Sequence, residues 1–252
     1  MTASGLEARY ERQTLIEGLG REGQAKLARS RVFIAGLGGL GSISAMYLAA
    51  SGVGGLTVMD LDHVSASNLN RQLLHWEEDL GRPKTESALE KLTRLNSEVS
   101  TRIIQDRLGE HNAADLIEGH DLVLDALDNY ETRKALNRAC LARGIPLIFG
   151  GVNGLCGMLS TFASGRTACL ECLFPVGPEA GGVTPVLGPT PGVIACLQAT
   201  EALKILTGLG RPLYDRLMVY DGMEMSFKTI NIGRNDRCPA CSGRGGAELE
   251  KR

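Results

Sequence analysis

Apolar positions in the first 150 residues switch repeatedly between two spacings. RVFIAG (31–36) is an unbroken apolar run closed by glycine, which predicts a buried strand. GLGSISAMYLAASG (39–52) spaces its apolar residues for a helix and stops at glycine. LTVMD (56–60) predicts the next strand, and PKTESALEKLTRLN (83–96) a helix with proline in its first turn. A strand near 101–105, a helix near 111–118, the strand DLVLDAL (121–127), a helix at 130–143 and the strand PLIFGG (146–151) follow. Residues 7–28 predict one or two short helices before all of these. Strands alternating with helices imply an α/β, doubly wound, mainly parallel sheet covered on both faces.

After Gly151 the pattern changes. LCGMLSTFAS, RLMVYDG and MSFKTINI predict strands of an antiparallel C-terminal extension, with one strong helix, GVIACLQATEALKILTG (192–208), among them. Pro175 to Gly192 holds five of the nine prolines and five glycines, too broken for helix or strand. Unstructured connections of that length are more often functional than idle. Met158, Met218, Met223 and Met225 are expected in the core, with an adaptable docking face as the alternative, and Cys140, Cys156 and Cys196 as small buried apolar residues. The expected organisation is a single domain over 1–252. Residues 1–151 form its parallel-sheet part, 152–242 an antiparallel part with a crossover loop, and 243–252 a frayed tail.

Composition narrows the function classes. With 43% apolar residues in 252 the chain can bury a full core, and a formal charge of −2 argues against nucleic acid as the main ligand. No apolar run approaches the roughly 18 residues of a membrane span. MTASGLEARYERQ lacks the apolar centre of a secretory signal, so a cytoplasmic protein is expected. Seven cysteines in such a chain point to metal or catalysis more than to disulfides.

Gly36-Leu-Gly38-Gly39-Leu-Gly41 sits between a strand and a helix, as in a Rossmann-like phosphate loop. Glycines let the backbone approach a phosphate, and the helix start supplies free N–H groups. Asp60, ending the next strand, is placed for ribose hydroxyls. These features alone leave NAD and ATP both open. The stretch from Asp60 and Asp62 through Ser67, Asn68, Leu69, Asn70, Arg71 and Gln72 packs acids, amides and a cation beyond a strand end. Lys84 adds a cation at a helix start, which the helix dipole disfavours unless an anion is near. Asp125 and the pair Asp128-Asn129 follow another strand, at the edge where open α/β sheets bind ligands. Cations for a triphosphate and an aspartate for Mg²⁺ fit phosphoryl chemistry.

GLGGLG, the run DxDxVxxSNLxRQ, the lysine of RPK and the DN pair, preceded by RYERQ (9–13), together resemble the MoeB/ThiF/HesA family, from about Arg9 to Cys241. Members of that family use ATP to adenylate the C-terminal glycine of small ubiquitin-like sulfur carriers ending in Gly-Gly. A separate sulfur donor then converts the acyl-adenylate to a thiocarboxylate. The resemblance implies that Gly39, Asp60, Ser67 to Arg71, Lys84, Asp128 and Asn129 contact ATP or its Mg²⁺. It also implies a homodimer in which Arg12 reaches the neighbouring protomer's phosphates. Arg12, Arg71, Lys84 and Asp128 are the expected catalytic groups. No general base is needed, since a carboxyl group with a pKa of about 3.5 is already ionised. Family members often carry a cysteine in the crossover loop for a covalent link to the carrier or sulfur donor; here Gly181 or Gly182 falls about where it would sit. That favours an enzyme that stops at the adenylate. The rivals are a tRNA-modifying relative that also adenylates, an NAD-dependent reductase and a non-catalytic scaffold.

Cys169-Leu-Glu-Cys172 and Cys238-Pro-Ala-Cys241 are two CxxC knuckles. Four thiolates so paired predict a closed, structural zinc site tying the C-terminal segment to the loop after LSTFAS. Redox pairs or free thiols are the alternatives. Zinc binding on the order of 10 kcal/mol would feed into folding.

Overall fold

Strand β1 (Arg31–Ala35) is apolar on both faces, because Val32 and Ile34 enter one core cluster while Phe33 and Ala35 enter another. In the computed structural model, which describes residues 3–177 and 184–242, it lies near the middle of an eight-stranded sheet. The other strands are β2 (Gly55–Met59), β3 (Ser100–Ile104), β4 (Leu122–Asp125), β5 (Leu147–Asn153), β6 (Cys156–Phe162), β7 (Arg216–Asp221) and β8 (Ser226–Asn231). Their order is β3-β2-β1-β4-β5-β6-β7-β8. The first five run parallel, and β6, β7 and β8 each join antiparallel. Strand β5 belongs to both halves: Leu147–Phe149 pair with β4, while all seven of its residues pair with β6.

The helices are α1 (Ala3–Thr14), α2 (Gly20–Arg29), α3 (Gly41–Ala50), α4 (Lys84–Leu95), α5 (Ala113–Leu116), α6 (Tyr130–Arg143), α7 (Leu170–Leu173) and α8 (Pro189–Thr207). Leu48 of α3, Leu92 of α4 and Ala199 and Ala202 of α8 bury Ile34, Val58, Leu124 and Ile148 on one face. Leu136 and Ala139 of α6, with Ile117, bury Phe33, Val123 and Phe149 on the other. Each leucine fully buried this way contributes about 2 kcal/mol. Gln198 fastens α8 to the sheet, its amide donating to the carbonyls of Asp125 at 2.9 Å and Ile148 at 3.3 Å. Among the described residues no helix is long and apolar enough to cross a membrane.

Several expectations change. Helix α8 starts at Pro189 rather than 192, with prolines in its first turn where their missing N–H costs nothing, and Val186 bridges to Gly154. Pro83 precedes α4 instead of entering it. Met223 and Met225 are exposed, because they sit at the β7–β8 turn, beyond the reach of any helix. Cys156 is exposed at the start of β6, while Cys140 is buried and Cys196 half-buried. The expected boundary at 151 falls inside β5. The tail 243–252, with Gly181 and Gly182, lies outside the described residues.

Candidate functional site

Strand order reverses between β1 and β4, and a crevice opens there at the carboxyl ends of the parallel strands. The glycine loop follows β1. Gly36 takes φ +94°, and a Cβ there would lie 2.6 Å from the Ala126 carbonyl oxygen. A Cβ on Gly41 would meet the Gly36 carbonyl oxygen at 1.9 Å, so this glycine serves close packing. Leu37 is held at both ends: its N–H donates to Asp60 Oδ2 at 2.7 Å, and its carbonyl accepts from His75 Nε2 at 3.1 Å. The N–H groups of Gly38 and Gly39 meet no acceptor among the described residues.

Asp60 also accepts the N–H of Asp62 at 2.8 Å. Burial raises its pKa above the ordinary carboxylate value, against the pull of Lys84 and of its two N–H donors. Lys84 returns to this point because residues 62–64 pair with 81–84. The N–H of Lys84 donates to Asp62 O at 3.0 Å and that of Val64 to Arg82 O at 2.9 Å. Its buried ammonium lies 2.9 Å from Asp62 Oδ2 and 4.0 Å from Asp60 Oδ1. The anions that balance the helix dipole at Lys84 therefore include two of the chain's own carboxylates.

Between them the chain folds on itself around Asn68. Asn68 Oδ1 accepts from Ser65 N at 3.2 Å, and its carbonyl accepts the N–H groups of Arg71 and Gln72. Arg71 Nη1 donates to Ser67 O and Asn70 Oδ1, and presents the rest of its guanidinium to the crevice. Gln72 is buried beside Gly38, with Oε1 unpartnered among the described residues.

Asp125, the last residue of β4 where the sequence placed it beyond the strand, is fully buried. Its Oδ1 accepts from Leu127 N at 3.1 Å, and Oδ2 lies 3.6 Å from Arg133 Nη1, an ion-pair separation too long for a hydrogen bond. Burial raises this carboxyl's pKa despite the arginine. Arg133 also donates to Leu127 O and stacks 4.9 Å above the Phe149 ring. This clamp holds the turn that exposes Asp128. Asn129 caps α6, accepting from Thr132 N at 2.9 Å, and its amide lies 3.4 Å from Asp128 Oδ1.

These groups line one cleft of about 1010 Å³. Its far half is floored by Phe149, Gly151 and Met158 and walled by Val176, Gly177 and Val186. Within this one cleft the lining is charged and polar around the glycine loop, Arg71, Lys84 and Asp128, and largely apolar around Phe149, Met158, Val176 and Val186.

A second constellation lies beside α7. The sulfurs of Cys169, Cys172, Cys238 and Cys241 all fall within 4.8 Å of one another and can hold a metal ion. The separations 169–172, 169–238 and 172–241 are 3.9, 3.6 and 3.4 Å. A disulfide would need about 2.05 Å. A tetrahedron with metal–sulfur bonds of about 2.3 Å has edges near these values. Asn235 N–H donates to Cys172 Sγ. Glu171, inside the first knuckle, is buried and takes a two-pronged bond from Arg138 of α6.

Gly36, Gly38, Gly39, Asp60, Asp62, Arg71, Gln72, Lys84, Asp128 and Asn129 all line the cleft. Ser67, Asn68, Leu69 and Asn70 form the turn behind Arg71, and Gly41 packs beneath the loop. Arg12 is exposed on α1 and does not line the cleft. Sequence reasoning missed His75, Arg133 and Gln198. His75 and Gln198 act through backbone carbonyls of distant segments, a partnership no spacing reveals, and Arg133 clamps its own turn through Leu127 O, Asp125 and the Phe149 ring.

A model of the ThiF family matches residues 10–240. The chain is 43% identical over 245 residues to the SAMP-activating enzyme E1 of Haloferax volcanii, covering 95% of this chain and 90% of that protein. It is 41% identical over 243 residues to the sulfur carrier protein adenylyltransferase of Thermus thermophilus, covering 92% and 90%. A crystal structure of E. coli MccB with ATP matches with a TM-score of 0.84 at 25% identity, over 92% of this chain and 74% of that one.

Proposed function

Because the chain belongs to the ThiF family, we propose that it uses ATP to adenylate the C-terminal carboxylate of a small ubiquitin-like sulfur carrier. What supports this reading most is the single cleft, lined by cations, acids and backbone N–H groups at the glycine loop and by apolar residues around Phe149, Met158 and Val186. That apolar lining, which includes Gly151 and Gly177, suits an extended Gly-Gly tail with no side chains to accommodate. In the reaction a carboxylate oxygen attacks the α-phosphorus of ATP. The bond to the bridging oxygen breaks, and pyrophosphate leaves with its electrons.

The difficulty is one anion attacking another. Arg71 and Lys84 neutralise phosphate charge, the glycine-loop N–H groups hold phosphate oxygens, and Asp60 takes the ribose. In this reading Asp128 would hold Mg²⁺, which when bound offsets charge on the departing pyrophosphate. Arg12, remote from its own cleft, would serve the partner's site in a homodimer. The four thiolates suit a structural zinc, since all four positions are taken and none is left open for catalysis. Sulfur transfer falls to a separate donor. With Mg²⁺ and a Gly-Gly-ended carrier, labelled pyrophosphate should exchange into ATP, and Asp128→Ala should slow exchange by about a hundredfold or more. Absence of carrier-dependent exchange in the unaltered protein would refute the reading.

A further inference from the structure

We propose that His75 is a positioning residue of the nucleotide half of the cleft: it holds the Leu37 carbonyl inward and so turns the Gly38 N–H toward the ligand. This rests on the adenylation reading and extends it to a residue outside the phosphate-contacting set. A carbonyl cannot donate, so Nε2 carries the proton in the bond to Leu37 O at 3.1 Å. Nδ1 is then an acceptor, and the Ser87 hydroxyl at 2.9 Å donates to it. Ser87 in turn accepts from Lys91 Nζ at 3.0 Å, and Lys91 is paired with buried Asp79. The imidazole is 3% exposed and has both nitrogens committed.

In a trans peptide the carbonyl and the following N–H point in opposite directions. Fixing Leu37 O against His75 therefore directs the Gly38 N–H to the other side, and Gly38 lines the cleft. The preceding peptide is fixed by Asp60 on the Leu37 N–H, so both planes flanking Leu37 are set. Ser87 lies three residues beyond Lys84 on α4, on the same side of the helix. One imidazole thus ties the phosphate-facing loop to the helix that carries the phosphate-facing cation. Burial lowers its pKa to about 4, with Lys84 and Lys91 reinforcing the shift and Asp79 and the Leu37 carbonyl opposing it, so the tie is neutral at physiological pH.

The test compares His75→Phe, which keeps the bulk, with His75→Gln, which keeps a donor near the Nε2 position. Equilibrium binding of Mg²⁺-ATP and of adenosine is measured for each. His75→Phe should bind ATP about tenfold more weakly, the scale of losing one buried hydrogen bond, and adenosine within about twofold of the unaltered chain. His75→Gln should recover most of the difference. Equal loss for ATP and adenosine would mean general loosening and overturn the assignment, as would unchanged ATP affinity in His75→Phe. If the phenylalanine variant does not fold, Ser87→Ala must show the same selective loss, at about threefold, or the assignment falls. An unaltered chain that fails to bind ATP at all would instead sink the adenylation reading.

Discussion

Acid should destabilise this fold through His75 in a window that can be calculated. The unfolded chain protonates this imidazole near 6.5, whereas burial in the folded chain delays protonation to about 4. Between those values the unfolded state binds more protons, so stability present above pH 6.5 is lost progressively as pH falls toward 4. At about 1.4 kcal/mol per pH unit the window amounts to about 3 kcal/mol. Protonation at Nδ1 would cancel the bond from Ser87 and set an imidazolium against Lys84 and Lys91. Asp60 and Asp125, whose pKa values burial raises, act with the opposite sign, and the comparison must remove them. Urea unfolding followed by circular dichroism from pH 7.5 to 4, on the unaltered chain and on His75→Phe, isolates the histidine because both carboxylates are common to the pair. The advantage of the unaltered chain should shrink by about 3 kcal/mol across the series. Parallel stability curves would refute the reasoning.

Elemental analysis should find about one zinc per chain. Cys238→Ser should lose it, with a fall in melting temperature larger than any direct change in nucleotide affinity; metal-free protein with freely titrating thiols would reject the site. Arg12→Ala and Asp128→Ala should each be inactive alone. Mixed with subunit exchange, they should recover about a quarter of the unaltered activity, since half the dimers then hold one intact site of two. No recovery despite proven exchange would place Arg12 outside the partner's site.

The alternating strands and helices were legible because each buried strand is a short apolar run and each helix carries a stripe. That the glycine loop, Asp60, Lys84 and Asp128 share one cleft was legible because each follows a strand end or opens a helix, and an open α/β sheet gathers such positions at one edge. The start of α8 was obscured because prolines signal broken structure, yet at a first helical turn they are tolerated. Met223 and Met225 misled because apolarity predicts burial only where something covers the strand, and their turn projects past the helices. His75, Arg133 and Gln198 were invisible for a different reason. His75 and Gln198 reach main-chain carbonyls, which carry no sequence signature and come within reach only when the fold assembles, and the clamp of Arg133 needs the Phe149 ring from another strand.

Strand β5 acts as a ruler along the cleft. Phe149 is in register with Asp125 on one side and Ser160 on the other, and Gly151 and Asn153 continue opposite Met158 and Cys156. The spacing from one end of the cleft to the other is therefore set by a rigid backbone and not by a loop. Length changes can be absorbed where strands and helices join. Along β5 they cannot: deleting one residue would turn Phe149, Gly151 and Asn153 toward α8, and the floor of the cleft would vanish although every other residue remained in place.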